Sequence, residues 1–357
     1  MERPYRILCI GETWLGSDAR ASFAAFERLG QSIQVVDESH YVTNGSQGAI
    51  GKGLRRGFRP LLVNQLKRDV LKAIDGFKPH CLFVFKGNWV HPEILQSCRS
   101  QNVVALNYYP DVSFLSHGPY IPRALPLYDH VFSTKTYGVR DMKARLSIQQ
   151  ASFLEPGYDP ELHKPILLTE AEQRIYGCDV AFIGTWSPKK ESILSSLRGT
   201  LPEINLRIWG CQWEKSNSAN LAGSITGREA TGEDYTRAIR GASICLGLLS
   251  EAGKGSSSGD LITARTFQIP ACGVFMLHER NGEVLRYFEE AREAAFFESR
   301  EELVQKVRQY LDRPAERERV AAAGLERSRR DGYAIDARMK VVVDWLGQRL
   351  NGANGNR

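Results

Sequence analysis

The sequence predicts an α/β protein made of two doubly wound halves, each a parallel sheet with helices on both faces. Three observations predict it. Apolar β-like runs alternate with amphipathic helical stretches through the first half of the chain. Residues 155–168 then bring three prolines and a glycine, the composition of a linker. A second alternating set follows, and 357 residues is the length of about two ordinary domains.

In the first half, strands are expected over residues 5–11, 32–37, 81–86, 103–108, 131–134 and 152–155. Helices are expected over 18–29, 61–77 and 139–146. Residues 41–60 hold five glycines and four basic residues, so they are expected to be a long loop. The second set of strands falls at 180–184, 206–210, 244–249, 274–277 and 295–297. A last helix is expected over 333–350, and 351–357 reads as a disordered tail.

Hydrophobic content of 42% and charged content of 25% exclude a disordered chain. No apolar run approaches the roughly 20 residues that span a bilayer. The opening MERPYRILCIG runs straight into a strand-like segment without the long apolar core of a signal peptide, so a cytoplasmic protein is expected. Seven cysteines form no C-x-x-C pair and mostly lie in apolar runs, which suggests buried thiols rather than disulfides or a zinc site. The net charge is +6, part of it in Lys52, Arg55, Arg56, Arg59, Lys67, Arg68 and Lys72. Such a cluster could attract phosphate or an anionic membrane face, or it could be a solvated helix surface. Nucleic acid is not an expected partner, because no recognition motif accompanies the charge.

The most informative stretch is SSSGDLITARTFQIPACGVFML, residues 256–277. Small residues and Asp260 suit a helix start, where uncovered N–H groups and the positive end of the helix dipole favour an anion such as a diphosphate. A helix from Asp260 places Arg265 one turn on and Gln268 two turns on, and Gly273 ends it before a strand. Any capped helix of an α/β protein gives the same local pattern.

The string TARTFQIPACGVFMLHER resembles the donor-site segment of CgeB-like glycosyltransferases, whose usual form is R-x-F-E-x-x-A-C-G. The likeness takes in DVAFIGTWSPKKESIL, LRIWG and ASICLGLL and covers most of the chain from Cys178 to Trp345. Before that it thins to pieces such as FVFKG and NYYPD. The resemblance implies a GT-B fold similar to retaining family 4-type glycosyltransferases: two Rossmann-like domains facing across a cleft, with a C-terminal helix crossing back to the first. Residues 1–165 would form the acceptor domain, 170–332 the donor domain and 333–350 the returning helix. It further implies a nucleotide-sugar donor, a sugar, lipid-linked or other hydroxyl acceptor, no obligatory metal, and a place in bacterial polysaccharide or glycoconjugate synthesis, with possible peripheral contact to the inner membrane face.

In such enzymes an E-x7-E pair touches the donor sugar and ribose. Here Asp260 stands at the first position and Gln268 at the second, which keeps an amide able to accept from and donate to hydroxyls. The resemblance puts Arg265 on the donor phosphates, where its planar fork suits an oxyanion. It puts the Gly184–Thr185 loop there too, with Lys189 or Lys190 neutralising charge. Gly16, in the loop after the first strand, would approach the phosphate closely. Trp209 would lie at the base or else in the core. Asp111 and His117 follow a strand end, and an inverting mechanism would use one of them as general base. His91, His130 and His163 read as turn or helix-end hydrogen-bonding groups. No D-x-D occurs, so leaving-group charge would fall to Arg265, a lysine and a helix N-terminus. Gln268 also leaves a second reading open, a catalytically silent binding or assembly protein on the same fold.

Overall fold

The computed structural model describes residues 4–41 and 49–354, with only the backbone described at 49–58 and 353–354. Two compact units form. Unit 1 comprises Met1–Glu155, Ala252–Ser258 and Ile335–Arg357; unit 2 comprises Pro156–Glu251 and Gly259–Ala334.

Unit 1 runs β1 (Arg6–Gly11), α1 (Asp18–Arg28), β2 (Ser32–Asp37), α2 (Ala49–Phe77), β3 (Cys81–Phe85), α3 (Pro92–Ser100), β4 (Val104–Tyr109), α4 (Tyr120–Ala124), β5 (His130–Ser133), α5 (Thr136–Leu146) and β6 (Ala151–Phe153). All strands are parallel, in the order β2-β1-β3-β4-β5-β6. Strands such as β3 and β4 are buried almost throughout, because helices cover both faces.

Unit 2 runs α6 (Glu170–Tyr176), β7 (Cys178–Ile183), α7 (Pro188–Thr200), β8 (Leu206–Trp209), α8 (Glu233–Arg240), β9 (Ala242–Gly247), α9 (Ala264–Ala271), β10 (Phe275–Glu279), β11 (Ala295–Phe297), α10 (Arg300–Asp312) and α11 (Pro314–Arg330). Its sheet is also parallel, ordered β11-β10-β9-β7-β8. The final helix, α12 (Ile335–Asn354), belongs to unit 1. Its Ile335, Met339, Val342 and Leu346 recur at helical spacing and bury among Ile7, Phe23 and Phe26. Arg28 of α1 donates from Nε to Asp336 Oδ1 at 2.6 Å and from Nη2 to Oδ2 at 2.9 Å.

Four expectations need correction. The stretch 41–60 is not all loop: α2 begins at Ala49, while residues 42–48 lie outside the described residues. Val63, Leu66, Val70 and Ile74 bury one stripe of this helix. Extending an anchored helix gains a hydrogen bond for each residue fixed, whereas starting one does not, so helix persists back through Pro60 and the glycines. The last helix runs past Leu350 to Asn354, leaving only 355–357 of the expected tail outside the described residues. Residues 156–165, expected in the first domain, belong to unit 2. Thr236 Oγ1 donates to Leu162 O at 2.8 Å and Arg240 Nε to Ile166 O at 3.0 Å, which fastens the supposed linker to unit 2. Finally, residues 252–258 lie between β9 and α9 in sequence yet count with unit 1, where the Ser257 amide donates to Asp141 Oδ2 at 2.8 Å.

Of the described part of the basic cluster, Lys67 and Arg59 are engaged, while Arg68 and Lys72 are exposed. Lys67 pairs with Glu93 at 2.8 Å, and Arg59 lies 4.7 Å from the Trp89 ring centre. Lys52, Arg55 and Arg56 have no described side chains. No helix among the described residues is long and apolar enough to cross a membrane.

Candidate functional site

In each sheet the strand order reverses beside its first strand, β1 in unit 1 and β7 in unit 2. Loops leaving the carboxyl ends of strands part there and open a crevice where doubly wound sheets bind ligands. The residues singled out by the sequence gather at these two places.

In unit 2, β7 ends at Ile183 and Gly184 carries the chain toward α7. The Gly184 amide donates to Trp209 O at 2.9 Å, and its carbonyl accepts from Trp213 Nε1 at 2.9 Å. Gly210, at φ +135°, packs onto that carbonyl so tightly that no Cβ fits. A Cβ on Gly184 would in turn strike Arg265 Nη1. Both glycines are therefore required by close approach. Trp209 is 1% exposed, so it serves as core and is not available to a base.

Arg265 stands in the first turn of α9. Its guanidinium lies 5.1 Å from the Phe182 ring centre, donates from Nη1 to Ile183 O and from Nη2 to Leu248 O at 3.2 Å. It thus ties the end of β7 to the segment after β9. Two of its five N–H donors are used, and Nε is buried without a partner. The expected fork for an oxyanion is half committed to the protein, but its charge is fixed at the switch point.

The helix itself starts later than expected. Thr263, not Asp260, stands at the N-cap of α9: its amide donates to Thr266 Oγ1 at 3.0 Å, and its carbonyl accepts from the Thr266 amide at 3.1 Å. Asp260 sits in the preceding loop, its amide donating to Ser250 O at 2.9 Å. Thr266 Oγ1 also lies 3.0 Å from Nε2 of the buried His278, whose Nδ1 is 2.7 Å from Glu279 O. Burial brings His278 down to about 4, so it is a neutral strut between α9 and β10.

The two lysines differ. Lys189 Nζ pairs with Glu279 at 2.5 Å and donates to Leu249 O at 3.3 Å. Lys190 is 4% exposed and donates to Thr185 O at 3.2 Å and Ser250 Oγ at 3.0 Å, both uncharged. Burial, then the Arg265 charge, brings Lys190 down to about 8, although Asp260 and Glu251 oppose this. Lys190 thus has carboxylates near it, Asp260 and Glu251, but its ammonium donates to uncharged oxygens. Glu251 Oε1 accepts from the Lys189 amide at 3.0 Å, so a resident carboxylate already sits at the start of α7. Burial raises Glu251, but hydrogen bonds from Ser187 and the Lys189 amide and the Lys190 charge outweigh it and hold the carboxyl low.

Thr185 is exposed, with Oγ1 3.2 Å from Cys211 Sγ. Gln268 departs from its expected role: it is 7% exposed, and its amide oxygen accepts from Tyr235 OH at 2.7 Å. That oxygen is not presented to a ribose. Gly184, Thr185, Lys189, Lys190, Asp260 and Arg265 are brought together; Gln268 is turned aside.

In unit 1, Asp111 Oδ2 lies 2.7 Å from Lys86 Nζ and 3.1 Å from His117 Nε2. Burial lowers His117, Lys86 pushes the same way, and Asp111 opposes without cancelling them. The imidazole is therefore neutral near pH 7 and backed by a carboxylate, as a general base should be. Lys86 escaped the sequence reading; it has φ +63° and closes β3 in a left-handed turn. Nearby, Glu38 is 2% exposed, accepts from the Trp89 amide at 2.7 Å, and is pushed by burial up to about 8. Gly16, at φ +97°, turns the loop after β1 so that Ser17 caps α1. His91 Nδ1 caps α3 by accepting from the Glu93 amide at 3.3 Å, and His163 Nδ1 accepts from the Asp159 amide at 3.0 Å.

Two parallel α/β units, each with chemistry at the carboxyl ends of its strands, and a last helix returned to the first unit, define the GT-B class of fold. Within it, residues 189–344 match the family described as glycosyl transferase-like. Sucrose-phosphate synthase from Thermosynechococcus elongatus superposes with a TM-score of 0.66 at 13% identity, covering 98% of this chain and 100% of that one. A glycosyltransferase from Rickettsia africae gives 0.64 at 10% identity, over 98% and 99%. Anabaena HepE, in complex with UDP-glucose, gives 0.63 at 11% identity, over 96% and 100%. Identities this low speak for the fold alone. No curated protein matches the chain significantly in sequence.

Proposed function

We propose that the protein is a metal-independent glycosyltransferase of the CgeB-like group, moving a sugar from a nucleotide-sugar to an acceptor hydroxyl. The observation that carries this is the unit 2 switch point, where Arg265 and the buried Lys190 bring positive charge beside the N-terminus of α9, the start of α7 being held by Glu251. UDP-glucose in HepE makes a uridine diphosphate sugar the first donor to try. The acceptor oxygen would attack the anomeric carbon as the bond to the diphosphate breaks, and the diphosphate's charge would fall on Arg265 and Lys190. Lys189 and Gly184 would shape the pocket, with Asp260 near the sugar. Metal independence is part of this proposal and rests on the lack of D-x-D in the sequence. A cytoplasmic polysaccharide- or glycoconjugate-assembling role, beside the inner membrane face, belongs to the same proposal.

If the reaction inverts, His117 takes the acceptor's proton with Asp111 and Lys86 holding it in place. His117→Ala and Asp111→Ala are then each expected to lower kcat by about 10²- to 10⁴-fold with little change in nucleotide affinity. Full turnover in both would remove the base assignment and favour a retaining course, in which the leaving phosphate takes the proton.

The second reading, a silent relative, is favoured by one observation: Gln268, Lys189 and part of Arg265 are satisfied within unit 2. A thermal-shift series with UDP, GDP, ADP and their sugars, with and without EDTA, separates the two. A ligand at about 100 times its Kd stabilises the native state by roughly 2.7 kcal/mol, an easily seen shift. The expected result is a shift with one nucleotide series, unchanged by EDTA. Absence of any shift would favour the silent reading, and loss of the shift in EDTA would overturn metal independence.

A further inference from the structure

We propose that unit 2 carries a second carbohydrate site, a groove along α7 that takes a neutral oligosaccharide. The groove is shallow and open to solvent and offers about 730 Å³. One wall is the face of α7 bearing Ser192 and Ser196, one turn apart; the other bears Asn217 and Asn220. Trp186 and Arg300 also line it.

The chemistry of these walls selects the occupant. Hydroxyls and carboxamides both donate and accept, which matches sugar hydroxyls that do the same. Ser196 Oγ and the carboxamides of Asn217 and Asn220 make no hydrogen bond within the described protein, so they are available to a ligand. The charged groups present are one carboxylate and one guanidinium, and both are engaged. Glu191 accepts from Trp186 Nε1 at 2.6 Å, Ser216 Oγ at 2.9 Å and the amides of Asn217 and Ser218 at 3.0 Å. Arg300 Nη2 donates to Ser192 Oγ at 2.8 Å. The lining itself carries no net charge, and Lys215, over the Trp186 ring, is the cation against which an acidic glycan has to be tested.

The bond to Glu191 also fixes the indole of Trp186, whose ring centre lies 5.6 Å from Lys215 Nζ, so the C–H face of a pyranose would share that flat ring with the ammonium. Apart from Pro188 the lining lacks aliphatic side chains, so a peptide would find little to hold its own apolar groups. Gly199 keeps the walls apart from obstruction: a Cβ there would sit 3.2 Å from Asn220 Nδ2. Bound here, a glycan would stay tethered to the enzyme between encounters, which raises its effective concentration.

The test is calorimetric titration of the full chain with maltopentaose, cellopentaose, laminaripentaose and chitopentaose, each to roughly 10 mM, which reaches even millimolar affinities. At least one is expected to bind, and to bind tenfold or more weakly in Ser196→Leu and in Asn217→Leu. Both variants should keep the nucleotide-induced rise in Tm, so that failure of the groove is told apart from failure of the donor site. No binding by any pentasaccharide, unchanged binding in both variants, or tighter binding of an oligogalacturonate would each overturn the proposal.

Discussion

Arg265→Ala is expected to abolish the nucleotide-induced thermal shift and to lower kcat/KM by about 10²- to 10³-fold, the size of effect seen when one preorganised donor to a developing anion is removed. The same change should lower stability by about 3 kcal/mol, because the carbonyls of Ile183 and Leu248 both lose a charged partner. Arg265→Lys sorts the two roles. An ammonium keeps the charge but cannot bridge two carbonyls and still offer donors outward. Nucleotide affinity should therefore recover in part, while stability stays low. If Arg265→Ala leaves the thermal shift intact, the residue is a brace alone and the donor phosphates lie elsewhere.

Lys190→Met is expected to act in the opposite sense on the two readouts. Lys190 falls from 10.5 in the unfolded chain to about 8 in the fold. Between these values the unfolded chain holds more protons, so stability rises as pH goes from about 8 toward 10.5. Below pH 8 the fold bears the full cost of the buried charge, on the order of 3 kcal/mol. Methionine removes that cost but leaves Thr185 O without its donor, so the variant should be as stable as the parent or more so. Nucleoside diphosphate affinity should meanwhile fall by about 10- to 100-fold, as for loss of one close charge partner. In the parent, affinity should decline as pH passes 8, and in Lys190→Met it should be flat there. Retained affinity in the variant would show that this lysine serves packing and not the ligand.

Much of the architecture was legible because it depends on near neighbours. Strands β2 and β11 fall where alternation of apolar runs places them, and most other strand ends agree to within two residues. Gly273, at φ +70°, ends the run of α9 as the sequence implied. The start of that helix was not legible, since Asp260 and Thr263 are both good caps and only the reciprocal bonds with Thr266 choose between them. Nor could adjacent lysines be told apart. Successive helical residues point about 100° away from each other, so one of Lys189 and Lys190 meets Glu279 and the other turns inward. Gln268 keeps the chemistry of a ribose contact in the sequence, yet Tyr235, 33 residues away, claims its oxygen.

Sequence alone determined two parallel sheets, the turns that need glycine, and the stretch 256–277 as the place to look, because periodicity and caps act over a few residues. Tertiary structure decided which groups are spent and which are left for a ligand. Arg265 meets a carbonyl 82 residues upstream, and Lys189 meets a carboxylate 90 residues downstream. Such pairings arise only when strands from distant parts of the chain end side by side, and burial there sets the charge that Lys190 can offer.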